Sequence, residues 1–401
     1  MDLVQLTDTF TAVFGRLLRA DFKGINRLIK INNLFDRDKI IWNFSNMDQL
    51  AETATLGCAA KTPSPLPHDP KPLITQYIFQ GKTTTLADYK REKNLTALLV
   101  LKDNKIAHEE YLQGTGPDDL RISWSMAKSV ISLLLGALID KGEIPRDALD
   151  YQIADHVPLL RGSGYDGASL RNILQMSSGV DFNEDYLDYH SDINKMGRVL
   201  AMGGSMDAFA AQLKNATPPG KYMNYVSVDT HVIGMMIRAL TGEDISRLTI
   251  EHIFTPLGLE KDPVFITDSL GEPFILGGLN MTTRDYARIA LMVLNGGNWN
   301  GQQIVSPEWL ALSTCQSAPP VTPEKRDIPE GWLGYGMQWW LPQDPVGGEI
   351  YGIGIYGQYL YINPMYNVVI AQNAGDIDFK HGQGIVEHET LAMMRQMAES
   401  L

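Results

Sequence analysis

The chain has 401 residues, 44% of them hydrophobic and 20% charged, which excludes a disordered polymer and fits a soluble globular protein of one large or two intimately joined domains. A net charge of −13 and an isoelectric point near 5.1 argue against a nucleic-acid partner and against an anionic membrane surface. Only Cys58 and Cys315 are present, too far apart for a disulfide framework or a zinc site.

In chain order, residues 1–23 read as a short amphipathic helix. Asp2 stands where a secretory signal needs positive charge, so a cytoplasmic location is expected. The first fifty residues read as helical or irregular. "KTPSPLPHDPKP" (Lys61–Pro72) holds five prolines and reads as an extended connector, with the core expected to begin after it. Leu95–Leu112 is two strand-like runs around Asp103-Asn104, a hairpin signal. Ser125–Ile144 has an apolar helical pattern with Gly142 at its end. Its core, Val130–Ile139, is too short to span a bilayer.

Helices and loops fill the chain to about residue 262, including Val228–Gly242, whose apolar residues recur at helical spacing. Thr282–Gly297 is another capped helix, with arginines that read as surface residues. Two β-rich stretches follow, "YGMQWWL" and "IGIYGQYLYINPMYNVVIAQNA", then a final helix from Ile385. Strands at both ends with helices between fit an α+β layer fold with a helical insertion. The expected division is an N-terminal extension and connector (1–72), a sheet domain (73–144 and 263–401) and a helical domain (145–262).

"YGIGIYGQ" (Tyr351–Gln358) matches G-x-G-x-x-G, the string that cradles a dinucleotide pyrophosphate. Its context is wrong, because that fingerprint must open a helix and here a strand-like run with a proline follows. The glycines are expected instead to allow a close approach to the strand backbone. No H-E-x-x-H, P-loop or G-x-S-x-G elbow occurs, and His231 on an apolar helix reads as a packed core histidine.

Ser125-x-x-Lys128 at the start of the apolar helix puts a hydroxyl and an amine on one face, one turn apart. A serine N-cap beside a solvated lysine is the plain alternative. The apolar run downstream favours a buried Lys128, which is costly unless the amine is used or paired. Tyr225-x-Ser227 follows Pro219-Gly220 and precedes the next helix; a tyrosine beside a lysine ammonium is expected to have a lowered pKa and to shuttle protons.

In this order, Ser125-x-x-Lys128, Tyr225 five residues after Pro-Gly, and a Gly-rich strand near the end resemble the serine β-lactamase and penicillin-binding-protein superfamily, in its class C and esterase-like branch. "LRNILQMSSGVDF", "GGLNMTTRDYARIALMVLNGG" and "GYGMQWW" look like further blocks of that branch. Tyr-x-Ser and the Gly357-Gln358 pair bring the chain nearest to 6-aminohexanoate-dimer hydrolase-like proteins. The resemblance covers about residues 95–398. It implies a β-lactamase-like fold: an antiparallel sheet flanked by helices, with an inserted mostly helical domain and the site between them.

It also implies an acyl-enzyme hydrolase acting on a small ester or amide without metal or cofactor. Ser125 would be the nucleophile, with Lys128 and Tyr225 as proton-transfer groups, either of them the base. Ser227 would hydrogen-bond around Lys128, and the backbone N–H groups of Ser125 and Ile355 would form the oxyanion hole. Tyr356 and Gln358 are further candidates for substrate contact. The family's usual Lys-Thr-Gly box is absent, and "KHGQG" (Lys380–Gly384) opens the last helix rather than standing on the matching strand. Efficient β-lactamase activity is therefore not expected. The rival is a non-catalytic or slowly deacylating sensor or scaffold.

"DFNEDYLDYHSDIN" (Asp181–Asn194) is read first as a solvated acidic loop. Its functional reading places Tyr186 and Asp188 over the site, against an amine-bearing substrate. A homodimer is left open.

Overall fold

The computed structural model describes Thr11, Val13, Gly15 and residues 22–321, 333–381 and 385–401. The amphipathic helix expected over residues 1–23 lies almost wholly outside them. A seven-stranded antiparallel sheet forms the frame: β1 (Leu95–Lys102), β2 (Lys105–Tyr111), β3 (Gly334–Tyr335), β4 (Trp340–Leu341), β5 (Ile350–Gly354), β6 (Gln358–Asn363) and β7 (Val368–Ala374). Their order is β3-β4-β5-β6-β7-β1-β2, so the first hairpin docks beside the last strand. Asp103 and Asn104 both take left-handed φ angles (52° and 61°), as a two-residue hairpin turn demands.

β1, β6 and β7 read as continuous apolar runs because both faces of the sheet are covered. Leu99, Leu101, Leu360, Ile362, Val369 and Ala371 face one core, shared with α1 (Met126–Asp140), α2 (Ser227–Thr241) and α3 (Thr283–Leu294). Leu98, Val100, Tyr359, Tyr361 and Ile370 face the other, with Leu391, Met394 and Met397 of α4 (Ile385–Ser400). The alternation follows from the two-residue period of a strand. Each fully buried leucine contributes about 2 kcal/mol by removal from water.

A second sheet joins Thr53–Thr55, Val264–Ile266, Leu279–Met281 and Arg121–Ile122 in that order. It matters for function because its last strand leads straight into Ser123-Trp124-Ser125; the Ser123 N–H donates to the Leu279 carbonyl at 2.8 Å.

Two expectations are corrected. The core does not begin after the Pro-rich stretch: Ile40, Phe44, Met47 and Leu50 are buried in the main core. The connector itself lies along β2, with Ile106 N–H donating to Pro67 O at 2.8 Å. The surface reading of the α3 arginines fails at Arg288, while Arg284 is half-buried. Arg288 is 1% exposed and donates to Ser64 O, Glu260 and Asp285, while Arg284 makes two bonds to Glu109. The connector packed over the helix supplies the carbonyl that a surface reading could not foresee. His231 is a packed histidine, 3% exposed and 2.6 Å from Asp207.

Candidate active site

Ser125 stands one residue before α1, in helical backbone conformation, and its hydroxyl makes no capping bond. The hydroxyl is therefore not spent on the helix. Lys128, one turn on, places Nζ 3.1 Å from Ser125 Oγ and donates to the Leu276 carbonyl at 2.6 Å. It is 1% exposed on a helix that is apolar all round. Burial pulls its pKa from 10.5 down to about 7, against the opposing pull of Glu184 and Asp229.

Tyr225 comes to the same point from the loop before α2. Its hydroxyl lies close enough to Ser125 for the serine to act on the phenol's pKa, pulling it down against the larger effect of burial. Its ring stacks on Trp340 (5.2 Å, 19°) and meets Tyr335 edge-on at 6.1 Å. The expected lowering of its pKa is corrected: burial and then Glu184 push it up, and Lys128 Nζ lies over the ring face, 5.5 Å from the centroid. The two candidates are thus shifted in opposite directions, the lysine down to about 7 and the phenol up.

β5 runs past this corner. A Cβ on Gly354 would lie 2.2 Å from Ser123 O and 3.2 Å from Trp124 Cβ, so only glycine lets the strand touch the segment that carries Ser125. Gly352 and Gly354 are in β5 and Gly357 is in the turn to β6, a strand–turn–strand unit with no helix for a pyrophosphate. The turn Ile355–Gly357 lies directly beyond Gly354.

A match to the beta-lactamase family spans residues 90–372, with Ser125, Lys128 and Tyr225 inside it. The chain belongs to the beta-lactamase family. A 6-aminohexanoate-dimer hydrolase of Paenarthrobacter ureafaciens is 29% identical over 357 residues, 86% of this chain and 88% of that protein. A candidate 6-aminohexanoate-dimer hydrolase from Bacillus anthracis superposes with a TM-score of 0.77 at 21% identity, covering 91% of this chain and 96% of the other. EstCE1, a hydrolase with promiscuous acyltransferase activity, gives 0.60 at 14% identity over 78% and 96% of the two chains. The structural likenesses agree on the β-lactamase-like fold.

Within this family frame, several expected site residues stand elsewhere. Ser227 does not bond Lys128; its hydroxyl and its N–H both donate to Glu184. Gln358 is 1% exposed, and its amide donates to Tyr356 O (3.0 Å) and Ala374 O (2.7 Å) while accepting from Asn373. It secures the turn from within and is closed to substrate. Tyr356 is fully buried in an aromatic cluster. Asp188 accepts from His190 N–H at 2.8 Å and from Asn183, shaping its own loop. Tyr186 does reach the site, donating to Glu184 at 2.9 Å. Lys380 and His381 end a short helical turn, Ile377–His381, and residues 382–384 lie outside the described residues.

Glu184 and Asp229 were not singled out from the sequence. Glu184 accepts from Ser227 and Tyr186 and faces Lys128; burial raises its pKa while those partners lower it. Asp229 is fully buried, takes the Tyr165 hydroxyl at 3.1 Å, and burial pushes its pKa well up. Its signal was a lone carboxylate on the apolar helix α2. Glu184 was hidden among four aspartates of an acidic loop. Among the described residues no group of three or more His, Cys, Asp or Glu is placed to hold a metal ion, and no helix is long and apolar enough to cross a membrane.

Proposed function

We propose that the chain is a serine hydrolase that cleaves small carboxylic esters or amides through an acyl-enzyme on Ser125. The observation that carries this is the buried Lys128 amine, 3.1 Å from Ser125 Oγ with its pKa pulled to about 7. A serine hydroxyl is a poor nucleophile until a base removes its proton. Neutral Lys128 keeps one hydrogen on the Leu276 carbonyl and offers its lone pair to Ser125. As Oγ attacks the substrate carbonyl, its proton passes to Nζ. The negative charge on the carbonyl oxygen is met by the N–H groups of Ser125 and Ile355. Tyr225 gives its proton to the leaving alkoxide or amine and is reprotonated from Lys128. In deacylation water attacks the ester carbon while its proton passes, directly or relayed through Tyr225, to neutral Lys128, which returns it to Ser125 Oγ as the acid leaves.

The loop 181–194 carries Asp181, Glu184, Asp185, Asp188 and Asp192 and no lysine or arginine. With the Lys-Thr-Gly lysine missing, this favours neutral or amine-ended substrates over anionic β-lactams. The likeness to a 6-aminohexanoate-dimer hydrolase makes linear amino-acid amides the first amides to assay. The deciding test is hydrolysis of a chromogenic short-chain ester by wild type and by Ser125→Ala. Activity lost in the variant supports the mechanism, and undiminished activity sinks it. Covalent labelling of wild type without turnover would favour the sensor reading instead.

A further inference from the structure

Two residues near the proposed site hold backbone conformations that L-amino acids avoid. Trp124, immediately before Ser125, has φ of 44°, and Tyr356, immediately after Ile355, has φ of 61°. Each therefore adjoins one of the two N–H donors assigned above to the oxyanion. Such strain persists only where the surroundings over-determine it.

The surroundings here are one aromatic cluster that contains both strained residues. The Trp124 and Tyr356 rings lie 6.3 Å apart. Phe35 stacks on Tyr356 at 4.8 Å and 18°, and lies 5.8 Å from Trp124. Phe44 meets Tyr356 edge-on at 5.4 Å and Trp124 at 5.5 Å. Phe379 closes the far side of Tyr356 at 5.2 Å. Phe35 and Phe44 both come from the N-terminal segment, upstream of the span that matches the family (residues 90–372). Phe44 lies in the helix Ile40–Ser45, whose Ile40 and Ile41 also back onto Gly375 next to β7.

We propose that the N-terminal segment is a working part of the site: Phe35 and Phe44 clamp Trp124 to Tyr356 and so fix the spacing and aim of the Ser125 and Ile355 N–H groups. This rests on the acyl-enzyme reading of Ser125. Phe35 and Phe44 are positioning residues; they act on the oxyanion through the two strained neighbours. Aromatic stacking supplies a geometry that an aliphatic side chain of equal volume does not, and oxyanion donors lose their effect when displaced by a fraction of an ångström.

Phe35 is 39% exposed, so its substitution spares the core better than that of Phe44, which is 5% exposed. The full-length Phe35→Ala, Phe35→Leu and Phe35→Tyr variants should be compared with wild type for kcat and KM on a p-nitrophenyl ester. The dissociation constant of phenylboronic acid should be measured alongside. The boron accepts an electron pair from Ser125 Oγ and becomes a tetrahedral anion whose oxygen occupies the oxyanion position. The expected result is a loss of about tenfold in kcat for Phe35→Ala and Phe35→Leu. Boronic acid affinity should weaken by a matching factor, KM should stay within about twofold, and Phe35→Tyr should restore both. Phe35→Leu also keeps the volume if Phe35→Ala fails to fold. Unchanged kcat and boronic acid affinity in Phe35→Leu would overturn the clamp, as would a fall in kcat with boronic acid affinity intact. If wild type neither hydrolyses the ester nor binds the boronic acid, or if Ser125→Ala retains activity, the acyl-enzyme reading fails and takes the clamp with it. Neutral Phe35 variants in an enzyme that depends on Ser125 overturn the clamp alone.

Discussion

Shifting the assay from about pH 8 to about pH 6 takes the Lys128 amine through its midpoint. With a pKa of about 7, the neutral fraction of the amine falls from about nine tenths to about one tenth across that interval. If neutral Lys128 is the base, kcat/KM for a non-ionising ester falls about tenfold, with unit slope below the midpoint. A lysine at its ordinary value of 10.5 would instead put the limb far into alkali. The groups facing Lys128 are Glu184, Asp229 and Tyr225. Glu184 acts to raise the lysine's pKa, so Glu184→Gln moves the limb to lower pH, which a histidine elsewhere in the chain would not do. The assay is a pH series of kcat/KM in buffers of constant ionic strength. A flat profile from about pH 5.5 to 8, or a limb that ignores Glu184→Gln, would refute Lys128 as the base.

The same buried amine has a stability cost. Lys128 binds its proton more weakly in the folded chain (about 7) than in the unfolded one (10.5), so wild-type stability rises with pH between those values and the full penalty applies below about 7. The interval corresponds to at most about 5 kcal/mol. Lys128→Met should therefore be inactive and more stable by about 1–3 kcal/mol at about pH 6. Its advantage should shrink by about pH 10, as read by denaturant melts. Tyr225→Phe leaves the stacking on Trp340 but removes the proton relay. It should lower kcat by about 10² to 10⁴ with little change in melting temperature. Gly354→Ala forces a methyl group against the Ser123 carbonyl, 2.2 Å away. Because the obstacle is backbone, kcat should fall about a hundredfold and thermal stability should fall with it.

The parts of the structure legible from sequence were those set by local chemistry. Asp103-Asn104 fixed a hairpin, Gly242 ended α2 in a left-handed conformation (φ 74°), and Ser125-x-x-Lys128 placed two groups one turn apart on a helix. Contacts between distant segments were not legible. Ser227 reads as a partner for Lys128, yet Glu184, 43 residues earlier, takes both of its donors. Tyr356 and Gln358 sit in a glycine-rich turn, which suggests exposure, but a turn tucked under the N-terminal helices faces inwards. The tyrosine's pKa departs from the sequence expectation for a related reason: the sequence shows a cation nearby, whereas the depth of burial and the Glu184 charge come from the fold.

The contact at Gly354 also marks which parts of the site can change. Two backbones meet there with no room for a single methyl group, so selection for a new substrate has almost no freedom at Gly354. Variation can accumulate at Asp185 and Asp188 of the acidic loop 181–194, whose carboxylates accept only from within their own loop. The corner around Gly354 is thus a fixed die, and the exposed turns of the loop are the replaceable tooling. A mutant library meant to move this enzyme from esters to amides, or from amine-ended to neutral substrates, is best spent on the loop.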